Sequence, residues 1–203
     1  MARTRNIEQA LATFRERGGT LRSGEALSAG IHPATLYRLA AEGQITRLVR
    51  GLYRLASAEE FSQPDLAVVA VKAPSSVVCL VSALAYHELT TQVPRAVQLA
   101  VPRGNYAALR LRSPPVVVYR FDPTTFEEGA ESHRLDGTVI RVYGVARTLV
   151  DCFKYRNKIG LDVAVEALRF ARSRKRVTNK EILSFAKLLR QERVMGPYLQ
   201  AVP

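Results

Sequence analysis

Tryptophan is missing from the 203 residues, and cysteine and methionine occur twice each. Cys79 and Cys152 stand alone, so neither a disulfide framework nor a C-x-x-C zinc or redox signature can be assembled from them. Long apolar runs are also lacking. The longest, Leu66 to Val71 and Val77 to Val81, fall far short of the roughly 18 residues that a membrane span requires. The start, MARTRNIEQA, is basic but leads into no apolar stretch and does not read as a secretory signal, so the expected location is cytoplasmic, without a membrane partner. The patterns H-E-x-x-H, G-x-S-x-G, the P-loop and G-x-G-x-x-G do not occur, and His32, His87 and His133 are scattered. Neither an enzyme nor a bound metal or cofactor is expected from such a chain.

What is present is an ordinary globular composition with an unusual charge. The chain is 47% hydrophobic and 24% charged, and folding at this length buries roughly 70% of the unfolded surface, enough for a core without metal or disulfide staples. Lys and Arg number 30 against 18 Asp and Glu, a net charge of +12. Residues 1–56 hold nine Arg, no Lys and four Glu. Arginine makes bidentate contacts to phosphate and guanine, so this end points to nucleic acid as the partner, against the alternative of a merely basic, soluble surface.

Apolar spacing organises the chain. Asn6 is placed to cap a helix bearing Ile7, Ala10, Leu11 and Phe14, which Gly18 and Gly19 stop. Ser23 is placed to cap a short second helix ending at Gly30. His32, before Pro33, opens a third helix whose Leu36, Leu39 and Ala40 face inward until Gly43. Ile45, Arg47 and Val49 alternate as a strand, Arg50 and Gly51 turn, and residues 52–55 return. A helix-turn-helix followed by a hairpin is a winged helix. The polar, Pro-terminated residues 57–64 read as a linker, and residues 65–203 as a second domain. There, a helix over 65–72, a buried strand or helix start over 77–81 and a helix over 82–88 are expected. Strands are expected over 97–102, 116–121, 131–135 and 139–143, and three closing helices over 146–154, 161–172 and 179–191. The fold class is α+β: an N-terminal winged helix-turn-helix, then a mixed α/β domain with a central sheet and C-terminal helices.

On the third helix, burying Leu36, Leu39 and Ala40 turns Ala34, Arg38 and Ala41 outward, with Thr35, Tyr37 and Glu42 flanking. The alanines allow close approach to bases, Arg38 can reach guanine O6 and N7, and Thr35 or Tyr37 can take a phosphate or thymine methyl. Arg47, Arg50 and Arg54 lie on or beside the hairpin, where Gly51 permits the turn and an arginine can enter a minor groove or meet phosphate. Arg3 and Arg5 could form a flexible arm, Thr20 and Arg22 are weaker candidates, and His32 is a helix cap or phosphate donor. Arg169, Arg172, Arg174, Lys175, Arg176 and Lys180 form a basic cluster at a helix end, explicable either by the helix dipole or by contact with an anionic partner.

The segments GIHPATLYRLAAEGQITRLVRGLYRL, SALAYHELTTQVPRAVQLAVPRG, VYGVARTLVDCFKYRNKIGLDVAVEALR and EILSFAKLLRQERVMGPYLQAV resemble the AbiEi family, the antitoxins of bacterial type IV toxin-antitoxin systems. The resemblance implies an N-terminal domain that binds inverted repeats in its own promoter and a C-terminal domain that counteracts an AbiEii-type toxin with a nucleotidyltransferase fold; since one winged helix covers only a half-site, two copies on one operator are expected. It implies no enzymatic activity. Arg147, Thr148 and Asp151 match the family's R-T-x-x-D pattern; Arg147 and Asp151, at i and i+4, are either an intrahelical pair or antitoxicity residues, alongside Arg172, Arg174, Lys175 and Arg176. Two positions depart from the pattern: Glu88 stands where glycine is usual, and Gly196 where a basic residue precedes Pro197. Two rival functions are a winged-helix transcription factor with a ligand-sensing second domain and a DNA-targeted nuclease. The second is disfavoured because no Glu-x-Lys occurs in the chain.

Overall fold

A computed structural model describes residues 2–58, 63–104, 113–135 and 137–202, except for the side chains of residues 2–5. Residues group into two compact units: Met1–Pro74 with His133–Ile140, and Ser75–Ser132 with Arg141–Pro203.

The first unit opens with α1 (Ala2–Glu16), β1 (Thr20–Arg22), α2 (Ser23–Ser28) and α3 (Pro33–Ala41), followed by the hairpin β2 (Ile45–Val49) and β3 (Leu52–Leu55). The three strands pair antiparallel in the order β1-β3-β2. This is the expected winged helix, with corrections at its starts. Helix α1 begins at Ala2, so Asn6 lies within it rather than capping it, and Arg3 and Arg5 belong to its first turns rather than to a flexible arm; their side chains lie outside the described residues. Arg22 rather than Ser23 occupies the cap position of α2, and the Glu25 carboxylate accepts the Arg22 N–H at 2.8 Å. Strand β1 has no counterpart in the sequence reading, because three residues are too few to show alternation. Ala10, Phe14, Leu21, Ala26, Ile31, Leu36, Leu39, Ile45, Tyr53 and Leu55 form the core.

Helix α4 (Pro64–Lys72) joins this unit, so the unit ends after Pro74, not in residues 57–64. Within that stretch, residues 59–62 lie outside the described residues. Two side-chain bonds to backbone carbonyls tie α4 in: the Arg22 guanidinium donates to Ala70 O at 2.8 Å, and Lys72 Nζ to Arg50 O at 3.1 Å.

In the second unit, β4 (Val77–Val78), β5 (Val97–Pro102), β6 (Val116–Phe121), β7 (Ala130–Leu135) and β8 (Thr138–Tyr143) form one sheet in the order β6-β5-β4-β8-β7. Pairing is parallel for β5 with β6 and for β4 with β8, and antiparallel for β4 with β5. The strands follow the expected ranges closely. The tip of the β7–β8 hairpin, residues 133–140, groups with the first unit. There a Cβ on Gly137 (φ 79°) would come within 3.0 Å of Gly18 O, so this backbone approach requires glycine.

The helices are α5 (Leu80–Tyr86), α6 (Val145–Lys154), α7 (Arg156–Ile159), α8 (Leu161–Ser173), α9 (Asn179–Leu188) and α10 (Glu192–Ala201). Beyond α5, the described residues thus close in five helices instead of three. Gly196 and Pro197 argue against a helix in sequence terms; here Pro197 lies inside α10, which buried Met195 anchors.

Helix α6 packs against α5, α8 and α9, and Arg147 to Phe153 are all buried along it. Arg147 is only 1% exposed. Its Nε donates to Asp151 Oδ2 at 2.7 Å, and its Nη1 to Thr125 O at 2.8 Å and Glu128 O at 2.9 Å. The guanidinium carbon lies 4.6 Å from the Tyr143 ring centroid and 5.6 Å from that of Phe121. A Cβ on Gly129 would meet Arg147 Cβ at 2.9 Å, so that glycine lets the loop close over the arginine. Asp151 Oδ1 has no partner among the described residues, and burial pushes the Asp151 carboxyl up to about 6, with the Arg147 charge and hydrogen bond acting in the opposite direction.

Folded Asp151 keeps its proton up to about pH 6, whereas the unfolded carboxyl releases it near 3.8. The folded state therefore binds more protons in that window, and stability contributed by Asp151 is lost as pH rises through it. Urea midpoints of the wild type and Asp151→Asn, compared from pH 4 to 7, should show this slope only in the wild type, and Arg147→Ala should cost about 3–5 kcal/mol by stranding a buried carboxyl and two carbonyls. Glu88, directly after α5, adopts φ 60°, a left-handed conformation that favours glycine. Glu88→Gly should accordingly raise stability by about 1 kcal/mol in thermal unfolding, and a lower melting temperature would contradict this.

Candidate nucleic-acid interface

The interface is built on α3. Pro33 supplies the first helical residue, and His32 caps the helix, its Nδ1 accepting the Ala34 N–H at 3.2 Å. With Nδ1 as acceptor, the proton of the neutral ring sits on Nε2, leaving an exposed donor at the helix start. Leu36 and Leu39 bury one face, and Ala34, Tyr37 and Ala41 stand exposed on the other, Tyr37 by 64%. Thr35 is half-buried. Arg38 emerges on the exposed side and meets Glu42, one turn later, at 3.6 Å, with both side chains more than a third exposed. Such a pair is worth little in water and can exchange for a contact with a base edge.

The hairpin presents Arg47 on β2 and Arg50 at the turn, both exposed, with Gly51 at φ 90° completing the turn. Between Arg47 and Val49 the register to β3 shifts, which locally increases twist in the wing. The bond from Lys72 to Arg50 O places a second cation at the base of the wing. The sequence reading missed Lys72 because 22 residues separate it from its partner and nothing local marks it.

Three proposed contact residues lie elsewhere. Arg54 is 8% exposed on the central strand β3 and donates to Thr20 Oγ1 at 3.4 Å; Thr20 itself is 1% exposed. Both are withdrawn as DNA contacts, since their side chains are buried against the rest of the unit. Arg22 is half-buried and turned to Ala70 O. Alternation along a strand does not distinguish a central arginine from an edge one.

A groove of about 120 Å³ adjoins the start of α3, lined among others by Asn6, Gln9, Thr13, His32 and Thr35. Its polar lining extends the candidate surface from α3 onto α1. The spacing Asn6, Gln9, Thr13 follows one helix face, and that periodic polar stripe was the available sequence signal.

The R-T-x-x-D residues and part of the basic cluster also find structural roles. Arg147 and Asp151 are both 1% exposed, so neither can touch a partner directly, and the intrahelical-pair reading stands. Arg172 donates to Leu199 O at 2.9 Å, to Asn179 Oδ1 at 2.5 Å and to Val202 O, closing the end of α10. Arg174 lies 5.0 Å from the Phe170 ring centroid and donates to Glu88 O. Lys175 and Arg176 remain exposed. Among the described residues no group of three His, Cys, Asp or Glu side chains is arranged to hold a metal, and no helix is long and apolar enough to cross a membrane.

Comparison with known families bears on this first unit. Residues 8–56 match the family described as "Transcriptional regulator, AbiEi antitoxin". The segment 8–56 is thus similar to the AbiEi antitoxin regulators. The match runs from α1 through β3 and therefore contains the capped α3, its exposed face and the wing, while Lys72 and residues 57–203 lie beyond it. No curated protein matches the chain.

In this winged helix, removal of Arg38 and of Arg50 should have different consequences. Arg38→Ala is expected to weaken the best duplex site by roughly 1–3 kcal/mol and relax preference at one base position, whereas Arg50→Ala should weaken all duplexes alike and flatten the salt dependence. Fluorescence titrations over a randomised site library check this; unchanged affinity and preference in Arg38→Ala would remove it as a base reader.

Proposed function

We propose that the protein represses its own promoter and serves as the antitoxin of a type IV toxin-antitoxin system, countering a nucleotidyltransferase-type toxin. The observation that carries this reading is a half-exposed arginine on α3, between exposed alanines and beside an arginine-bearing wing, within the segment that matches an antitoxin regulator family. Bases are read by Arg38 with Thr35 and Tyr37, Ala34 and Ala41 permit approach, and His32, Arg47, Arg50 and Lys72 hold phosphates or the minor groove. One winged helix covers a half-site, too few base pairs to be specific against a genome, so two copies occupy inverted repeats.

Antitoxicity falls to the second unit, because the first already has the work of reading DNA. Of the residues first considered for it, the exposed Lys175 and Arg176 are placed to meet an acidic metal-binding site or a shared nucleic-acid target. The activity involves no catalysis and no cofactor by the antitoxin.

The two roles should separate in the full-length chain. Cutting the chain between the units is unsuitable, since residues 133–140 group with the first unit. Co-expression with a nucleotidyltransferase-type toxin of this kind and a promoter reporter provides the measurement. Arg38→Ala combined with Arg50→Ala should abolish repression and still rescue growth, while Lys175→Glu with Arg176→Glu should repress normally and rescue poorly. Loss of rescue in the first variant alone would reverse this division of labour.

A further inference from the structure

A second group of cations, outside the operator-reading set, gathers with aromatic rings at the carboxyl ends of β5 and β6. These strands run parallel, in register from Val97 with Val116 to Pro102 with Phe121. Arg103 follows β5 directly, and its N–H donates to Phe121 O at 2.8 Å; Asp122 follows β6. The carboxyl ends of parallel strands are where open α/β sheets collect ligands, because side chains from successive loops converge there. The end of α6 and the start of α7 bring Lys154, Tyr155 and Lys158 to the same place.

The rings form a stack with cations above it. Tyr155 lies against Phe121 with centroids 5.6 Å apart and planes at 10°, while Tyr119 meets Tyr155 edge-on at 5.4 Å. Lys154 Nζ is 6.0 Å and Lys158 Nζ 5.8 Å from the Tyr155 centroid, and Lys158 also lies 5.9 Å from that of Tyr119. Arg103, Lys154 and Lys158 are exposed and make no ion pair among the described residues. Asp122, an acid in their vicinity, accepts the Thr124 N–H at 3.0 Å and the Thr124 hydroxyl at 2.8 Å on one oxygen, and these bonds, with the charges of Arg103 and Lys154, hold its carboxyl below the usual range.

We propose that this edge of the second unit is a binding site for single-stranded nucleic acid, with bases on the Tyr119 and Tyr155 rings and phosphates on Arg103, Lys154 and Lys158. An acidic peptide would be met by the cations alone and would leave the aromatic rings without a role. A duplex keeps its bases stacked internally, out of reach of half-buried tyrosines, whereas an unpaired base can take the ring position over which a lysine head now stands. The displaced ammonium is then within reach of the adjoining phosphate, so each lysine exchanges a weak ring contact for a charged one.

The test uses the full-length protein, fluorescent RNA and DNA strands of about 12 nucleotides, the operator duplex and a polyglutamate peptide. Wild type should bind the single strands and not the peptide. Lys154→Ala with Lys158→Ala should weaken single-strand binding about tenfold and lower the salt slope by about 1.4, leaving operator affinity unchanged. Tyr119→Leu, which keeps apolar packing, should weaken single strands about fivefold without altering duplex binding. Arg38→Ala should do the reverse. Equal binding of polyglutamate and oligonucleotide would overturn the site, as would undiminished single-strand affinity in a lysine variant with the wild-type melting temperature.

Discussion

A charge inside the second unit sets the terms for its architecture. Arg147 lies on α6, the helix that α5, α8 and α9 all pack against, and a guanidinium in that position needs every donor and its charge answered within the protein. Asp151 answers the charge, the carbonyls of Thr125 and Glu128 take two donors, and the faces of Tyr143 and Phe121 supply polarizable surface. Asp151 lies one turn along the same helix, whereas the other partners come from β6, the loop that follows it and β8. The loop after β6 must close over the arginine, which Gly129 allows, and Tyr143 must hold its place, which its hydroxyl does by donating to Phe126 O at 2.7 Å. The Phe121 ring that covers Arg147 also supports Tyr155, so the buried charge and the surface stack share one aromatic layer.

In the first unit, position in the sheet decides what an arginine does. Arg47 and Arg54 both sit on hairpin strands, but Arg54 is on the central strand and buried, while Arg47 is on the edge and exposed. Arg22 and Lys72 use their charged ends to hold backbone carbonyls and so attach α4 to the wing. The positive charge at this end therefore divides between Arg22 and Arg54, which build the domain, and the cations left on the α3 face and the wing for a polyanion, the exposed Lys72 among them. Burying the former costs desolvation, and hydrogen bonds to carbonyls offset much of it.

Most elements were legible from spacing alone. The capped α3 between His32 and Gly43, the β2–β3 hairpin around Arg50 and Gly51, and four of the five strands of the second sheet fall close to their expected ranges, because caps, turn residues and apolar periodicity are local signals. Local signals also failed in identifiable ways. Strand β1 is three residues long, and α10 contains a Gly-Pro pair that predicts a stop; both exist because distant partners hold them, β3 for the first and Arg172 with buried Met195 for the second. Glu88 occupies a left-handed position that favours glycine, and Arg174 bonds to its carbonyl from 86 residues away.

Residue type and local spacing were enough for the α+β class, the winged helix, the exposed face of α3 and the excess of positive charge, since each is settled within a few turns of chain. Only the tertiary structure decided which cations remain available: it took Arg54, Arg147 and Arg172 into internal bonds, added Lys72 to the wing, and gathered Arg103, Tyr119, Lys154, Tyr155 and Lys158 at one sheet edge. The physical reason is range. A periodic pattern fixes which way a side chain leaves its own helix or strand, but burial and partnership depend on what the rest of the chain lays against it.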